Sequence, residues 1–313
     1  MISKNSRRID ELDFLKCIMI VLMVAFHLVY FEELHPYAKR VVFTFHMPVL
    51  LIISGYLTNI DKSPLQFLRS MFWLFIPYLV MEGGYIWMCS MLPVGDHIDN
   101  LTVGVFFEKL FLHPLGPYWY LHALILCGLT YYLVFRLVPM NTMSRCILLG
   151  LIFVGYAYLG LISISRAFYF LAGVAVHQSR FEFLDVFKSS WLAVVGLALL
   201  ILHPENLHTD VVGGVLIVYL VISFCLSVYS VFRGRLRRFM LFLGRNTMPI
   251  FVFSPIFTIL CKYLVPYLAF DKTGLLFLII SLIICISGSL LIGWMMDKLH
   301  VSQFFFGKKK AIQ

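Results

Sequence analysis

The chain of 313 residues is 61% hydrophobic and 13% charged, with a mean hydropathy of +0.91, whereas soluble domains are roughly 45–50% apolar and about 25% charged. That balance excludes a soluble multidomain enzyme, a disordered tail and a disulfide-rich secreted module, and it assigns the chain to a bilayer. The formal charge of +9 does not point to a nucleic-acid partner, because the basic residues flank apolar segments.

A membrane-spanning helix needs about 20 mostly apolar residues. Apolar runs bounded by charge, proline or polar clusters predict ten spans, at approximately 12–32, 40–59, 68–92, 117–138, 146–163, 165–178, 189–203, 210–232, 246–267 and 273–297. The fifth to seventh are short or closely joined. The stretch 92–116 carries Pro93, Asp96, Asp99, Glu108 and Pro114, and its apolar centre, 101–112, is too short to cross. It reads as an interfacial or re-entrant helix. The expected fold is all-α, a polytopic transmembrane helical bundle of about ten spans, with 1–313 forming one integral-membrane domain.

With the N terminus inside, eighteen lysines and arginines fall on the inner side and five, Lys39, Arg40, Lys109, Arg166 and Lys272, on the outer side. This bias predicts two cytoplasmic termini. The first apolar run is too long and too polar at its start for a cleavable signal, no attached soluble domain is expected, and the halves share no obvious motif repeat. The seven cysteines are odd in number, lie mostly in apolar segments and lack metal-ligand spacing, so they read as free thiols.

Ionisable groups at membrane depth are costly, and they mark where chemistry is to be sought. The first span holds Asp13, Lys16 and His27. Treated as one helix, Lys16 and His27 are eleven positions apart, which puts them about 20° apart on one face and roughly 16 Å apart along the axis. His46 enters from the outer side at a depth similar to His27, and so does His122, beside Trp119. Glu82 is the carboxylate deepest within a span and is placed to orient or charge-compensate a histidine. Each has a plainer reading: a snorkelling Lys16, histidines bonded to backbone, and Glu82 as a structural hydrogen-bond partner. A zinc site on the three histidines is disfavoured because none has short ligand spacing to another. The run Arg233, Arg235, Arg237, Arg238 suits either topology and anionic lipid or a phosphate site.

The ordered stretches IDELDFLKCIMIVLMVAFH (9–27), FTFHMPVLLIISGYL (43–57), GPYWYLHALIL (116–126), SRAFYFLAGVAV (165–176) and LGRNTMPIFVF (243–253) together resemble the integral-membrane acyltransferase 3 family. The similarity is to compact members without an appended extracytoplasmic domain. The family hallmark, an arginine, ten intervening residues and a histidine in the first helix, is kept in spacing by Lys16 and His27, with lysine in place of arginine. Ser254 stands where many relatives have a histidine, and Arg69 alone remains of an arginine run at the third helix.

The resemblance implies a membrane-bound O-acyltransferase. It would move an acyl group, acetyl above all, from cytoplasmic acyl-CoA to a hydroxyl of a sugar, surface glycan or lipid-linked glycan. His27, Lys16 and Glu82 become the catalytic candidates, with His27 as general base. His46, His122, Trp119 and Arg166 are candidates for the acceptor or acyl pocket, and Arg8, Arg69, Arg235, Arg237 and Arg238 for CoA binding. No bound cofactor or metal is expected. The partners are acyl-CoA as co-substrate, a carbohydrate or glycolipid acceptor and membrane lipids, in a bacterial cytoplasmic membrane. The competing reading is a ten-span transporter or flippase of a small or lipid-linked substrate.

Overall fold

The structure is a computed structural model that describes residues 8–91, 97–179 and 181–313. Lys4, Arg7 and Arg180 of the inner cationic set, and Pro93 and Asp96 of the 92–116 stretch, lie outside the described residues. Among the described residues every regular element is helical. In chain order they are α1 (Asp10–Ala25), α2 (Val29–Leu34), α3 (Pro36–Leu57), α4 (Pro64–Met91), α5 (Val103–Phe111), α6 (Trp119–Leu137), α7 (Thr142–Tyr158) and α8 (Ile164–Gln178). They continue with α9 (Phe183–Val186), α10 (Ala193–Ile201), α11 (Val212–Val231), α12 (Gly234–Arg245), α13 (Thr247–Cys261), α14 (Val265–Leu268), α15 (Leu275–Lys298) and α16 (Ser302–Phe305).

Among the described residues six helical segments are long and apolar enough to cross a membrane: Pro36–Leu57, Pro64–Met91, Gly116–Leu137, Val212–Val231, Thr247–Leu268 and Leu275–Lys298. The other four predicted spans coincide with the shorter helices α1, α7, α8 and α10. The first of them departs most from expectation: the run 12–32 is not one helix, because α1 ends at Ala25 and α2 begins at Val29. The backbone N–H of His27 turns to Val24 O at 3.2 Å, while the His27 ring bonds the Met23 carbonyl at 2.7 Å. The side chain thus satisfies one of the carbonyls that a helix end leaves open. The 92–116 stretch contains α5, whose start is capped by Thr102 Oγ1 accepting the Val105 N–H at 3.2 Å, inside the predicted apolar centre.

The chain forms two compact units, one from Met1–Val49, Phe187–Leu290 and Gln313, the other from Leu50–Val186 and Leu291–Ile312. In the first, α1 packs mainly on α12, and also on α11 and α13. Phe14 is fully buried with its ring 5.2 Å from Tyr229 and 5.6 Å from Phe232. Helices α1 and α12 touch through backbone at Gly244, where any Cβ would collide with the Asp13 carbonyl oxygen.

The second unit has its core between α6, α7 and α8. Cys127, Tyr131, Leu149, Phe153, Ala167 and Phe170 meet there. Two of the motif glycines explain themselves here. A Cβ on Gly55 would strike the Phe170 carbonyl, and a Cβ on Gly173 would strike the Ile52 carbonyl. The ISGY and FLAG stretches are therefore two halves of one close helix crossing, the small-residue packing that lets backbones approach in membranes.

Candidate functional site

In the first unit the foot of α1 is a charge network. The Asp13 side chain, 4% exposed, receives Lys16 Nζ at 2.6 Å, Arg8 Nε at 2.6 Å and Arg245 Nε at 3.5 Å. Arg245 also reaches Asp10 Oδ1 at 3.2 Å. Arg8, Lys16 and Arg245 thus meet a first turn of α1 that carries Asp10, Glu11 and Asp13. Lys16 therefore acts within a network. The i, i+3 spacing of Asp13 and Lys16 is the signal that marks Asp13 as its partner; Arg245, distant in sequence, carries no such signal.

Further along the chain α12 presents its arginines in two ways. Arg237 is half-buried, bonds the Tyr229 hydroxyl and lies 4.4 Å from the Tyr229 ring centroid. Arg235 and Arg238 are exposed and make no ion pair among the described residues.

Where α1 ends, His27 meets His46 of α3, with ring centroids 6.5 Å apart. Each ring places Nδ1 on the carbonyl four residues earlier, His27 on Met23 at 2.7 Å and His46 on Val42 at 2.8 Å. A carbonyl only accepts, so Nδ1 carries the proton in both and the neutral rings keep their lone pairs on Nε2. His27 is half-buried and His46 buried. The His46 Nε2 has no hydrogen-bond partner among the described residues. Phe43 lies against both rings, at 5.6 Å and 5.1 Å between centroids, and Lys39, ion-paired to Glu32 at 3.0 Å, lies 5.4 Å from the Phe43 centroid. The geometry is that of two imidazoles whose tautomer is fixed by the main chain.

The remaining candidates belong to the second unit. Glu82 is fully buried in α4 and accepts the Leu115 N–H at 2.6 Å, which anchors the turn leading into α6. One helical turn earlier, Tyr78 donates to the Leu110 carbonyl. Trp119, His122 and Arg166 come together around a cavity of about 330 Å³. The Arg166 guanidinium lies 3.8 Å from the Trp119 ring centroid, and His122 Nε2 donates to the Phe111 carbonyl at 2.9 Å. Lys109 and His113 also line this space, and sequence reasoning did not select either as a site residue. The available signal was their position in the polar-flanked stretch before the fourth span. Arg69 is exposed at the start of α4. Among the described residues no group of three or more His, Cys, Asp or Glu side chains is placed to hold a metal ion.

No curated protein and no solved structure matches the chain. A family model described as an acyltransferase domain matches residues 9–294, from one residue before α1 to the last turns of α15. Polytopic, helical and matched over nearly its whole length, the chain belongs to the acyltransferase 3 family of membrane acyltransferases.

Proposed function

We propose that the protein transfers an acyl group, acetyl in the simplest case, from acyl-CoA to a hydroxyl of a sugar, surface glycan or lipid-linked glycan, with His27 as general base. The observation that carries this reading is the His27 ring: half-buried, with Nδ1–H tied to Met23 O, it offers a lone pair on Nε2 and nowhere else. The acceptor O–H proton passes to Nε2 as its oxygen attacks the thioester carbonyl. When the tetrahedral intermediate collapses the C–S bond breaks, and the CoA sulfur leaves with the proton from Nε2. Throughout, the Met23 carbonyl holds Nδ1–H and favours the transient imidazolium.

His46 assists by accepting, at its open Nε2, from a second hydroxyl of the acceptor, because the reacting hydroxyl gives its one proton to His27. Its neutral form has no N–H there, so it does not stabilise the oxyanion. The cations at the foot of α1 and the exposed Arg235 and Arg238 supply charge for the CoA phosphates, and the cavity at Trp119, His122 and Arg166 holds the acceptor. In this reading ten segments cross a bacterial cytoplasmic membrane and both termini face the cytoplasm.

The test uses the full chain in proteoliposomes with labelled acetyl-CoA and a lipid-linked glycan fraction. Transfer by the wild type, lost in His27→Ala while acyl-CoA still raises the unfolding temperature, supports the assignment. Undiminished transfer by His27→Ala, or no stabilisation of the wild type by acyl-CoA, overturns it.

A further inference from the structure

The cavity in the second unit has an unusual charge balance. Lys109, His113, His122 and Arg166 line it, and no aspartate or glutamate does. Arg166 makes no ion pair among the described residues, and the carboxylate on Lys109, Glu108 at 3.8 Å, is itself 46% exposed, so solvent weakens that pair. Stacking on Trp119 at 3.8 Å immobilises the guanidinium plane yet leaves its N–H fork available, and that fork matches the two oxygens of a carboxylate or phosphate. Two further features point the same way. Helix α8 starts in the cavity wall at Ser163, whose side chain makes no capping bond, and the positive end of a helix favours an anion. Lys109 and Arg166 are also two of the five basic residues that fall on the outer side in the orientation favoured by the charge bias, where cations are otherwise sparse.

We infer that this cavity recognises an anionic group, carboxylate or phosphate, on the acceptor, so that the acceptor is an acidic or phosphate-bearing glycan and not a neutral one. The inference rests on the proposed transfer to a glycan hydroxyl and adds its substrate class. The anion is bound between the Arg166 fork and Lys109, and Trp119 offers its ring to the sugar.

The test titrates the purified full chain, in a neutral detergent at constant ionic strength, with glucuronate, glucose 1-phosphate, glucose and glycerol 3-phosphate. Tryptophan fluorescence and the unfolding midpoint are the readouts. Glucuronate or glucose 1-phosphate is expected to bind at least about tenfold more tightly than glucose, the scale of one charge-assisted contact, and Arg166→Gln is expected to remove the difference. Lys109→Gln, at a partly exposed side chain, is expected to reduce it several-fold and carries the test if Arg166→Gln does not fold. Glycerol 3-phosphate binding as well as glucose 1-phosphate assigns the anion to a lipid-linked phosphate; weaker binding assigns it to the sugar, and both support the inference. Glucose binding as well as the anions, or a preference that survives both substitutions, overturns it. His27→Ala separates the two readings: it abolishes transfer if His27 is the base and leaves anion binding intact, so either result can fail without the other.

Discussion

The rings of His27 and His46 stand edge to face, 6.5 Å apart at an interplanar angle of 70°, and both direct Nδ1 to the carbonyl of the residue four positions back. Two imidazoles this close do not both become imidazolium without mutual repulsion. A proton taken up beyond the two Nδ1–H therefore goes to one of two unequal sites, the half-buried His27 or the buried His46. His27→Ala is expected to lower single-turnover transfer by about 10²–10⁴-fold, the usual worth of a general base, with little change in unfolding temperature. His46→Ala is expected to lose less. If the pair works as a unit, the double variant is no slower than His27→Ala alone; multiplied losses would show two independent roles.

At the foot of α1 the prediction concerns charge in a network. Asp13 is buried and holds Arg8, Lys16 and Arg245, so Asp13→Ala removes the shared counter-charge and is expected to cost about 1–3 kcal/mol, the scale of hydrogen bonds to a charged group, because the cations left behind reach solvent. Lys16→Met takes away one cation of three and leaves Asp13 paired, so its stability loss is expected to be clearly smaller. Its effect on transfer is expected to be larger than that of Lys16→Arg, which keeps the charge and adds the fork. Thermal unfolding and transfer rates of the three variants separate these outcomes, and equal transfer by all forms of residue 16 would make Lys16 a structural anchor.

Hydropathy located the long apolar helices because it measures the length of an apolar run, and those runs are what a bilayer selects. It did not locate the break at His27. Every residue from Phe26 to Phe31 is apolar or aromatic apart from the histidine itself, so nothing in the pattern marks the end of α1 at Ala25. The shared face of Lys16 and His27 assumed one unbroken helix, whereas α1 ends at Ala25, two residues before His27. Trp119, His122 and Arg166 were legible as polar residues at depth. Their convergence depends on the backbone between α5 and α6 and on the start of α8, which tertiary contacts set, and the same contacts bring in Lys109 and His113. Arg245 was legible only as a topology charge.

The glycine crossing gives a contrast within one unit. A Cβ at Gly55 or Gly173 meets a backbone carbonyl, whereas at Gly84, within α4, nothing lies within 4 Å. Gly55→Ala and Gly173→Ala are each expected to destabilise by about 1–3 kcal/mol, because backbone must move to admit the methyl. Gly84→Ala is expected to be neutral or to stabilise by up to about 1 kcal/mol through helix propensity. Unfolding midpoints in one detergent check all three.

Ahead of α15, Asp271 accepts the N–H of Leu276 at 2.9 Å, and from Thr273 the hydroxyl at 2.6 Å and the N–H at 2.9 Å. These bonds, the Leu276 N–H foremost, favour the carboxylate and hold its pKa below the usual aspartate range. A depressed folded-state pKa contributes stability that is present above the unfolded value, near 3.9, and lost as pH falls through the folded one. Asp271→Ala is therefore expected to lower the unfolding midpoint at neutral pH, and the gap to wild type is expected to close as the pH drops below 4. A gap independent of pH would assign the loss to packing.

The arginines of α12 should divide by how they are held. Arg237 is tied to Tyr229 by a hydrogen bond and a cation–π contact, so its charge serves the packing of α11, whereas Arg235 and Arg238 are exposed and free to meet the phosphates of acyl-CoA. Exposed charges act through a screened field that weakens beyond about 10 Å at 0.1 M salt. Arg235→Gln and Arg238→Gln are therefore expected to weaken acyl-CoA binding several-fold at low salt, with the difference from wild type shrinking as salt rises and the unfolding midpoint unchanged. Arg237→Gln is expected to behave in the opposite way, lowering the midpoint by an amount that salt hardly alters, because the guanidinium loses its contact with the ring as well as its charge. Acyl-CoA affinity measured at two ionic strengths, beside thermal unfolding, distinguishes the patterns. If Arg235→Gln and Arg238→Gln bind acyl-CoA as wild type does at low salt, the basic run serves topology and lipid contact, and the donor phosphates are held by the cations at the foot of α1.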